Sequence, residues 1–150
     1  PAGDVRGRGL SFYLDASAII PLFNFEPQHP DMFGFLGAFD LPFVTSSLAR
    51  GEVVSAFGRY VRQGELTPTD ADQRIADFEG WAATACVATP VSDAEIVAAT
   101  ALVRRFDLAL RVPDAMHLVL ARTAALPLLT LDRGLLRAAE TLGIAARLPA

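Results

Sequence analysis

The sequence predicts an α/β fold, a three-layer α/β/α sandwich with a central parallel sheet. Two observations lead to this prediction. Short apolar runs with strand character alternate with amphipathic segments at helical spacing along most of the 150 residues, which is typical of a parallel sheet covered by helices. In addition, 52% of the residues are hydrophobic and no linker or internal repeat divides the chain, which favours a single core.

The predicted domain covers residues 11–150. Residues 1–10 contain no initiator methionine and no apolar stretch of the kind that a secretory signal needs, so we expect a disordered leader or a remnant of cloning. No apolar run reaches the ~18 residues that cross a bilayer, so no membrane association is expected. The single cysteine, Cys86, cannot close an intramolecular disulfide, which favours the reducing cytoplasm.

The first predicted elements are a strand and two short helices. Residues 11–14 form a β-prone run that ends at Asp15, and the isoleucines and leucine that follow suggest a brief helix. The stretch 23–43 is rich in phenylalanine, and Pro30-Asp31 followed by apolar residues at helical spacing predicts a short amphipathic helix inside it. We expect these aromatic side chains to lie in the core or on a partner surface.

Two longer helices and two strands come next. Residues 41–45 have strand character, and Ser46-Ser47 can cap a helix whose apolar positions continue until Gly64. The sequence Thr-Pro-Thr-Asp at 67–70 predicts the start of the following helix. Residues 86–89 form a third short strand.

The last third of the sequence completes the alternation. The helix predicted over 92–106 begins with the capping box Ser-Asp-Ala-Glu. Val-Pro-Asp at 112–114 opens another helix, and the apolar run 126–131 is predicted to be a buried strand. A final helix is closed by Gly143, after which 144–146 is a marginal edge strand.

The composition excludes several enzyme classes. All 13 basic residues are arginine, so the lysine of a P-loop, of a Schiff base or of a response-regulator receiver is absent. The sequence has neither a Gly-x-Ser-x-Gly nor a Gly-x-Gly-x-x-Gly motif, and its two histidines, His29 and His117, lie outside any zinc-binding pattern. The net charge of −4 argues against a protein that coats nucleic acid, but it is compatible with a nuclease that has an acidic metal site.

Four acidic residues stand where a parallel sheet places its ligands. Asp15 and Asp132 each follow an apolar strand, and open parallel α/β sheets bind ligands beyond the carboxyl ends of their strands. Glu52 and Asp114 lie in helices that would begin at the same edge. Taken singly, each has an ordinary explanation: Asp15 and Asp132 as helix caps, Glu52 on a solvated face, and Asp114 beside a helix dipole.

Taken together, the four carboxylates indicate a divalent metal site. Carboxylates that converge on one cleft repel each other, and cations relieve that repulsion. Hard oxygen ligands without a histidine or cysteine cluster select Mg²⁺ or Mn²⁺, and such ions support phosphodiester cleavage, so a metal-dependent nuclease is the first hypothesis. Gly51 is unusual inside a helix and suggests either the close approach of another group beside Glu52 or a helix irregularity.

In four segments the sequence resembles the PIN-domain ribonucleases and, within them, the VapC-type toxins of bacterial toxin–antitoxin pairs. Each segment alone is a weak signal, whereas the four in this order are specific. The resemblance runs from the first predicted strand to about Leu142. The matching segments are Tyr13–Ala18, Ser47–Val53, Leu110–Arg122 and Leu129–Leu135.

This resemblance implies a PIN-like sandwich and assigns roles to the acidic residues. Asp15, Glu52 and Asp114 match the core ligands of Mg²⁺ or Mn²⁺. Asp132 matches the fourth acidic position, which often acts through water. All four are therefore expected to be catalytic.

The resemblance also places two hydroxyls, those of Ser17 and Thr130, where they help to hold a ligand or phosphate near the metal. Arg111 and Arg133 lie beside the motifs and are candidates for phosphate contacts, because a planar guanidinium suits bidentate recognition. For His117 we expect a structural hydrogen-bonding role, since water activated by a metal ion already supplies a nucleophile.

The implied function is hydrolysis of single-stranded or loop RNA by a toxin, with a cognate antitoxin whose C-terminal segment occupies the groove and the active site. The apolar composition further suggests a homodimer. Two alternatives stay open. A non-catalytic interaction module of the same fold would use the phenylalanine-rich stretch for docking, and an aspartate-dependent phosphatase would use Asp15 but usually has a second aspartate where this chain has Ser17.

Overall fold

A five-stranded parallel sheet forms the centre of the molecule. The computed structural model describes residues 12–27 and 29–150, so the leader expected at 1–10 lies outside the described residues. The strands lie in the order β3-β2-β1-β4-β5, and every neighbouring pair is parallel. The strands are β1 (Tyr13–Leu14), β2 (Phe43–Ser46), β3 (Cys86–Thr89), β4 (Leu128–Leu129) and β5 (Ala146–Arg147).

Seven helices in the described residues connect and cover these strands. Apart from them, a single 3-10 turn, Phe106–Leu108, follows the fifth helix. None of the helices in this part of the chain is both long and apolar enough to span a membrane. The helices are α1 (Ala16–Phe23), α2 (Met32–Leu36), α3 (Ser47–Arg62), α4 (Pro68–Ala85), α5 (Asp93–Val103), α6 (Val112–Thr123) and α7 (Arg133–Leu142).

Side chains of the strands alternate between two separate cores, as the pleat of a sheet requires. Leu14 and Leu129 belong to the core beneath α1, α2, α3 and α4. Tyr13 and Leu128, their immediate neighbours in sequence, belong to the core beneath α6 and α7. Helix α5 packs on α6 through Ala99. The predicted three-layer α/β/α sandwich is confirmed.

The elements follow the sequence prediction with shifted boundaries. β1 and β4 have only two residues each: β1 ends directly before Asp15, which caps α1, and Thr130 and Leu131 separate β4 from Asp132, which caps α7. Helix α3 is capped by Ser46, whose hydroxyl accepts a hydrogen bond from the backbone N–H of Ala49 at 3.1 Å. The predicted helix 92–106 is shorter than expected, since α5 ends at Val103.

The phenylalanine-rich stretch divides between the core and the surface. Phe43 is buried, and Phe39 packs edge-on against Phe12 with ring centroids 4.8 Å apart. Phe23 contacts Phe78 of α4 in the same manner, at 5.7 Å. Phe25 and Phe33 are exposed. Part of the stretch therefore lies in the core, as expected, and part of it is exposed to solvent.

Phe78 should contribute far more to stability than an exposed phenylalanine. Its side chain is 0% exposed in the core beneath α4, whereas Phe106 is 87% exposed. We expect Phe78→Ala to lower the free energy of unfolding by about 3–5 kcal/mol, because it leaves a cavity that the surroundings fill incompletely. Phe106→Ala is the matched control and should leave the urea midpoint nearly unchanged. Equal losses in the two variants would contradict this description of the core.

Candidate active site

An open cleft of about 400 Å³ lies at the carboxyl end of the sheet. All four acidic residues singled out from the sequence line it: Asp15, Glu52, Asp114 and Asp132. The cleft forms where β1 and β4 end and where α1, α6 and α7 begin. The parallel topology thus brings together carboxylates that are more than a hundred residues apart in the sequence.

Asp15 is the most buried of the four acids. It caps α1 and is 3% exposed. Its carboxylate accepts hydrogen bonds from the hydroxyl of Thr130 at 2.6 Å, the hydroxyl of Ser17 at 2.7 Å and the backbone N–H of Ala18 at 3.0 Å. Burial raises the pKa of this carboxyl above its ordinary value, while the three hydrogen bonds act in the opposite direction.

Ser17 and Thr130 join the ends of β1 and β4 through Asp15. Their oxygens accept the backbone N–H groups of Leu131 at 2.8 Å and of Asp132 at 3.0 Å, respectively. Each hydroxyl has one proton, and both protons point to the Asp15 carboxylate, since a carboxylate only accepts. The structure therefore places both hydroxyls against Asp15, at the carboxyl end of the sheet.

Glu52 reaches the cleft from the middle of α3. Its Oε1 lies 2.5 Å from Nε2 of His117, and the two side chains are 37% and 4% exposed. His117 thus has the hydrogen-bonding position that we expected. Neither of the two explanations offered for Gly51 is observed, because an added Cβ would meet no described atom within 4 Å and α3 is continuous there.

Asp114 and Asp132 each combine a capping role with a place in the cleft. Oδ2 of Asp114 accepts the backbone N–H of Arg111 at 3.1 Å and its Nε at 3.3 Å. Oδ1 of Asp132 accepts the backbone N–H groups of Gly134 at 2.7 Å and Leu135 at 3.0 Å. The capping role engages one carboxylate oxygen in each case, so it does not exclude a second role for the other oxygen.

Two arginines line the cleft and one predicted arginine does not. Arg111 is at its rim, as expected. Arg133, the first residue of α7, instead lines another pocket together with Leu131 and Leu148. Arg59 was missed by the sequence analysis, although its spacing of seven residues from Glu52 places both on one face of α3.

The chemistry of these side chains fits a hard divalent cation. Within the part of the chain that the structure describes, Oε2 of Glu52, Oδ1 of Asp114 and Oδ2 of Asp132 accept no hydrogen bond. Oxygen ligands of this kind suit Mg²⁺ and Mn²⁺. Among residues 12–27 and 29–150, however, no three His, Cys, Asp or Glu side chains are gathered closely enough to hold an ion as they stand. The acids share a cleft without forming a tight cluster.

The fold and the site define a three-layer α/β/α protein with an acidic cleft at the carboxyl end of a parallel sheet. The sequence model of the PIN domain matches residues 12–141. The chain therefore belongs to the PIN domain family, as the resemblance of its motifs implied. A search of curated protein sequences gave no match.

Solved structures with the same fold include bacterial toxins and toxin–antitoxin complexes. VapC20 of Mycobacterium tuberculosis, described as a sarcin-ricin loop cleaving toxin, is 18% identical with a TM-score of 0.67, over 85% of this chain and 95% of that one. VapBC2 of Rickettsia felis, bound to a promoter DNA fragment, is 11% identical with a TM-score of 0.68, over 93% and 98%. FitAcB of Neisseria gonorrhoeae is 16% identical with a TM-score of 0.63, over 92% and 97%. At these identities the similarity establishes the fold.

The raised pKa of Asp15 determines how its substitution should affect stability at different pH. In the unfolded chain the carboxyl titrates near 3.8, and in the folded protein above that value. Its stabilising contribution is complete below the unfolded pKa and is lost as the pH rises through the folded pKa. Asp15→Asn, which stays neutral, should therefore gain stability relative to the wild type as the pH rises.

Urea unfolding at about pH 4.5 and about pH 8 measures this difference. We expect the free energy of unfolding of Asp15→Asn to exceed that of the wild type at the higher pH. This difference should disappear at the lower pH. Asp72→Asn, at an exposed position of α4, is the control and should show no such trend. A wild type that is more stable than Asp15→Asn at the higher pH would contradict the dominant effect of burial on this carboxyl.

Proposed function

We propose that this protein is a Mg²⁺- or Mn²⁺-dependent endoribonuclease that hydrolyses RNA phosphodiester bonds, and that it is the toxin of a toxin–antitoxin pair. The observation that supports this most strongly is the convergence of four acidic side chains on one cleft in a member of the PIN domain family. The toxins among the proteins of the same fold support the same class of function.

Glu52, Asp114 and Asp132 would contribute through the oxygen that accepts no hydrogen bond, and Asp15 through a remaining lone pair of its hydrogen-bonded carboxylate. Asp15, Glu52 and Asp114 would hold the ion, and Asp132 would act at the fourth position. When bound, such an ion activates water and offsets the charge that develops on the phosphodiester. Ser17 and Thr130 keep the Asp15 carboxylate fixed through their hydroxyl protons, in the orientation that ligand binding requires.

The arginines at the rim would bind the substrate. Arg59 and Arg111 stand on different helices at the edge of the acidic cleft. A nucleic acid that crosses the cleft presents phosphates on both sides of the scissile bond, and guanidinium groups pair well with them. Because positive charge lies at the rim and negative charge lies within the cleft, a protein with a net negative charge can bind a polyanion.

The partners in this proposal are an antitoxin and a second copy of the chain. A toxin–antitoxin complex from Klebsiella pneumoniae contains a chain of the same fold. Exposed Phe25 and Phe33, on the segment around α2, support a docking role for that segment. Exposed Ile96 and Val97, in α5, support a further contact surface, which we assign to the homodimer.

The phosphatase alternative has little support from the geometry. The position of the expected second aspartate is Ser17, which serves to hold Asp15. The non-catalytic alternative is distinguished by the following two measurements.

Loss of a cleft carboxylate should abolish cleavage without unfolding the protein. We expect Glu52→Gln and Asp114→Asn each to lower the rate of RNA cleavage at least ~100-fold. Substitution of residues that only hydrogen-bond to metal ligands already lowers metal affinity or activity about 10–100-fold. Cleavage of a fluorogenic single-stranded RNA measures the effect, with Asp72→Asn as the exposed acidic control. Undiminished cleavage in both cleft variants would remove the assignment.

Divalent ions should stabilise the folded protein. A ligand that binds only the native state raises the free energy of unfolding by about 2.7 kcal/mol at a concentration of 100 Kd. We expect the melting temperature to rise with Mg²⁺ or Mn²⁺ concentration in the wild type and to rise much less in Asp15→Asn. If neither metal-dependent melting nor RNA cleavage is observed, the non-catalytic interaction module is the better description.

A further inference from the structure

A chain of buried polar side chains runs beneath the cleft to Glu52. The hydroxyl of Tyr13 in β1 lies 2.9 Å from Oγ of Ser46 and 2.9 Å from Nδ1 of His117. Nε2 of His117 in turn lies 2.5 Å from Oε1 of Glu52. Tyr13 and Ser46 are fully buried, and His117 is nearly so. Side chains from three elements thus form a chain of hydrogen bonds that ends on one carboxylate oxygen of Glu52.

The carboxylate of Glu52 fixes the direction of these hydrogen bonds. Because the Glu52 carboxylate only accepts, Nε2 of His117 donates, and in a neutral imidazole Nδ1 then accepts. The Tyr13 hydroxyl must donate to that Nδ1, and its oxygen accepts from the hydroxyl of Ser46. Ser46 Oγ also accepts the backbone N–H of Ala49, so each atom of the chain has a partner.

Each link of this chain therefore has one donor and one acceptor, which holds His117 in a single tautomer and a single ring orientation.

We propose that His117 and Tyr13 are positioning residues for the divalent ion: they hold the Glu52 carboxylate in one orientation, with one oxygen engaged and the other free. This role rests on the proposed function. Without these hydrogen bonds, a glutamate that is 37% exposed would sample several rotamers, and binding an ion would cost the entropy of fixing one of them. The chain of hydrogen bonds through Tyr13 and His117 orders the Glu52 side chain before an ion binds.

Mn²⁺ binding measured by isothermal titration calorimetry tests this role without an activity assay. His117→Leu removes the donor to Glu52, and we expect its Mn²⁺ affinity to fall ~10-fold or more. His117→Gln keeps an N–H donor and should recover a large part of that affinity. Tyr13→Phe removes only the hydroxyl and should cause a smaller loss than His117→Leu.

Two controls separate positioning from stability. Tyr60→Phe removes a hydroxyl that makes no hydrogen bond within the described residues and should leave Mn²⁺ affinity unchanged. Phe78→Leu should destabilise the core beneath α4 without contacting Glu52, so its Mn²⁺ affinity at temperatures below unfolding should equal that of the wild type. A loss of Mn²⁺ affinity in Phe78→Leu equal to that in His117→Leu would show that stability alone is responsible.

The outcomes distinguish this role from the proposed function. If the wild type binds Mn²⁺ and His117→Leu binds it equally well, the positioning role is wrong and the nuclease proposal stands. If the wild type neither binds Mn²⁺ nor cleaves RNA, the nuclease proposal fails, and this role with it. Nitrogen-15 spectra of the side chain provide a second measurement, and we expect the Nε2–H tautomer of His117. The Nδ1–H tautomer would contradict the hydrogen-bond directions given above, and with them the positioning role.

Discussion

The burial of one carboxylate, that of Asp15, is the constraint on which the site depends. A carboxylate removed from water is costly unless hydrogen bonds replace its hydration. The donors come from α1 and from the end of β4, so the two strands must end side by side for Asp15 to be satisfied. The backbone then holds the two hydroxyls from the other side. The floor of the cleft is therefore fixed by the same contacts that make the fold possible.

Capping and a functional role need not be alternatives for the acidic residues. Asp15, Asp114 and Asp132 lie at helix N-termini, where free backbone N–H groups and the helix dipole favour negative charge. This setting lets several acids share one cleft in the metal-free protein without severe repulsion. It also explains why they line the cleft without collapsing into a tight cluster, since each is anchored to its own helix.

The sequence predicted the parts of the site that depend on local pattern and failed where tertiary orientation decides. The strand-to-helix transitions at Asp15 and Asp132 followed from apolar runs that stop at an acid. Gly51 was misinterpreted because a glycine on an exposed helix face needs no close neighbour. Arg133 directly follows Asp132 but lines a different pocket, because consecutive residues at a helix start point in different directions. Arg59 was detectable only by assuming that Glu52 faces the cleft.

Glu52 needs a side-chain anchor because of its place in α3. It is the sixth residue after the capping Ser46, where every backbone N–H is already bonded within the helix, so no free N–H can hold its carboxylate as happens for the other three acids. The donor must come from another element. His117 supplies it from α6, one turn beyond Asp114, so one helix carries both an acid of the cleft and the anchor of a second acid. Any shift of α6 against α3 would move Asp114 and release Glu52 together, which links the integrity of the cleft to the packing of these two helices.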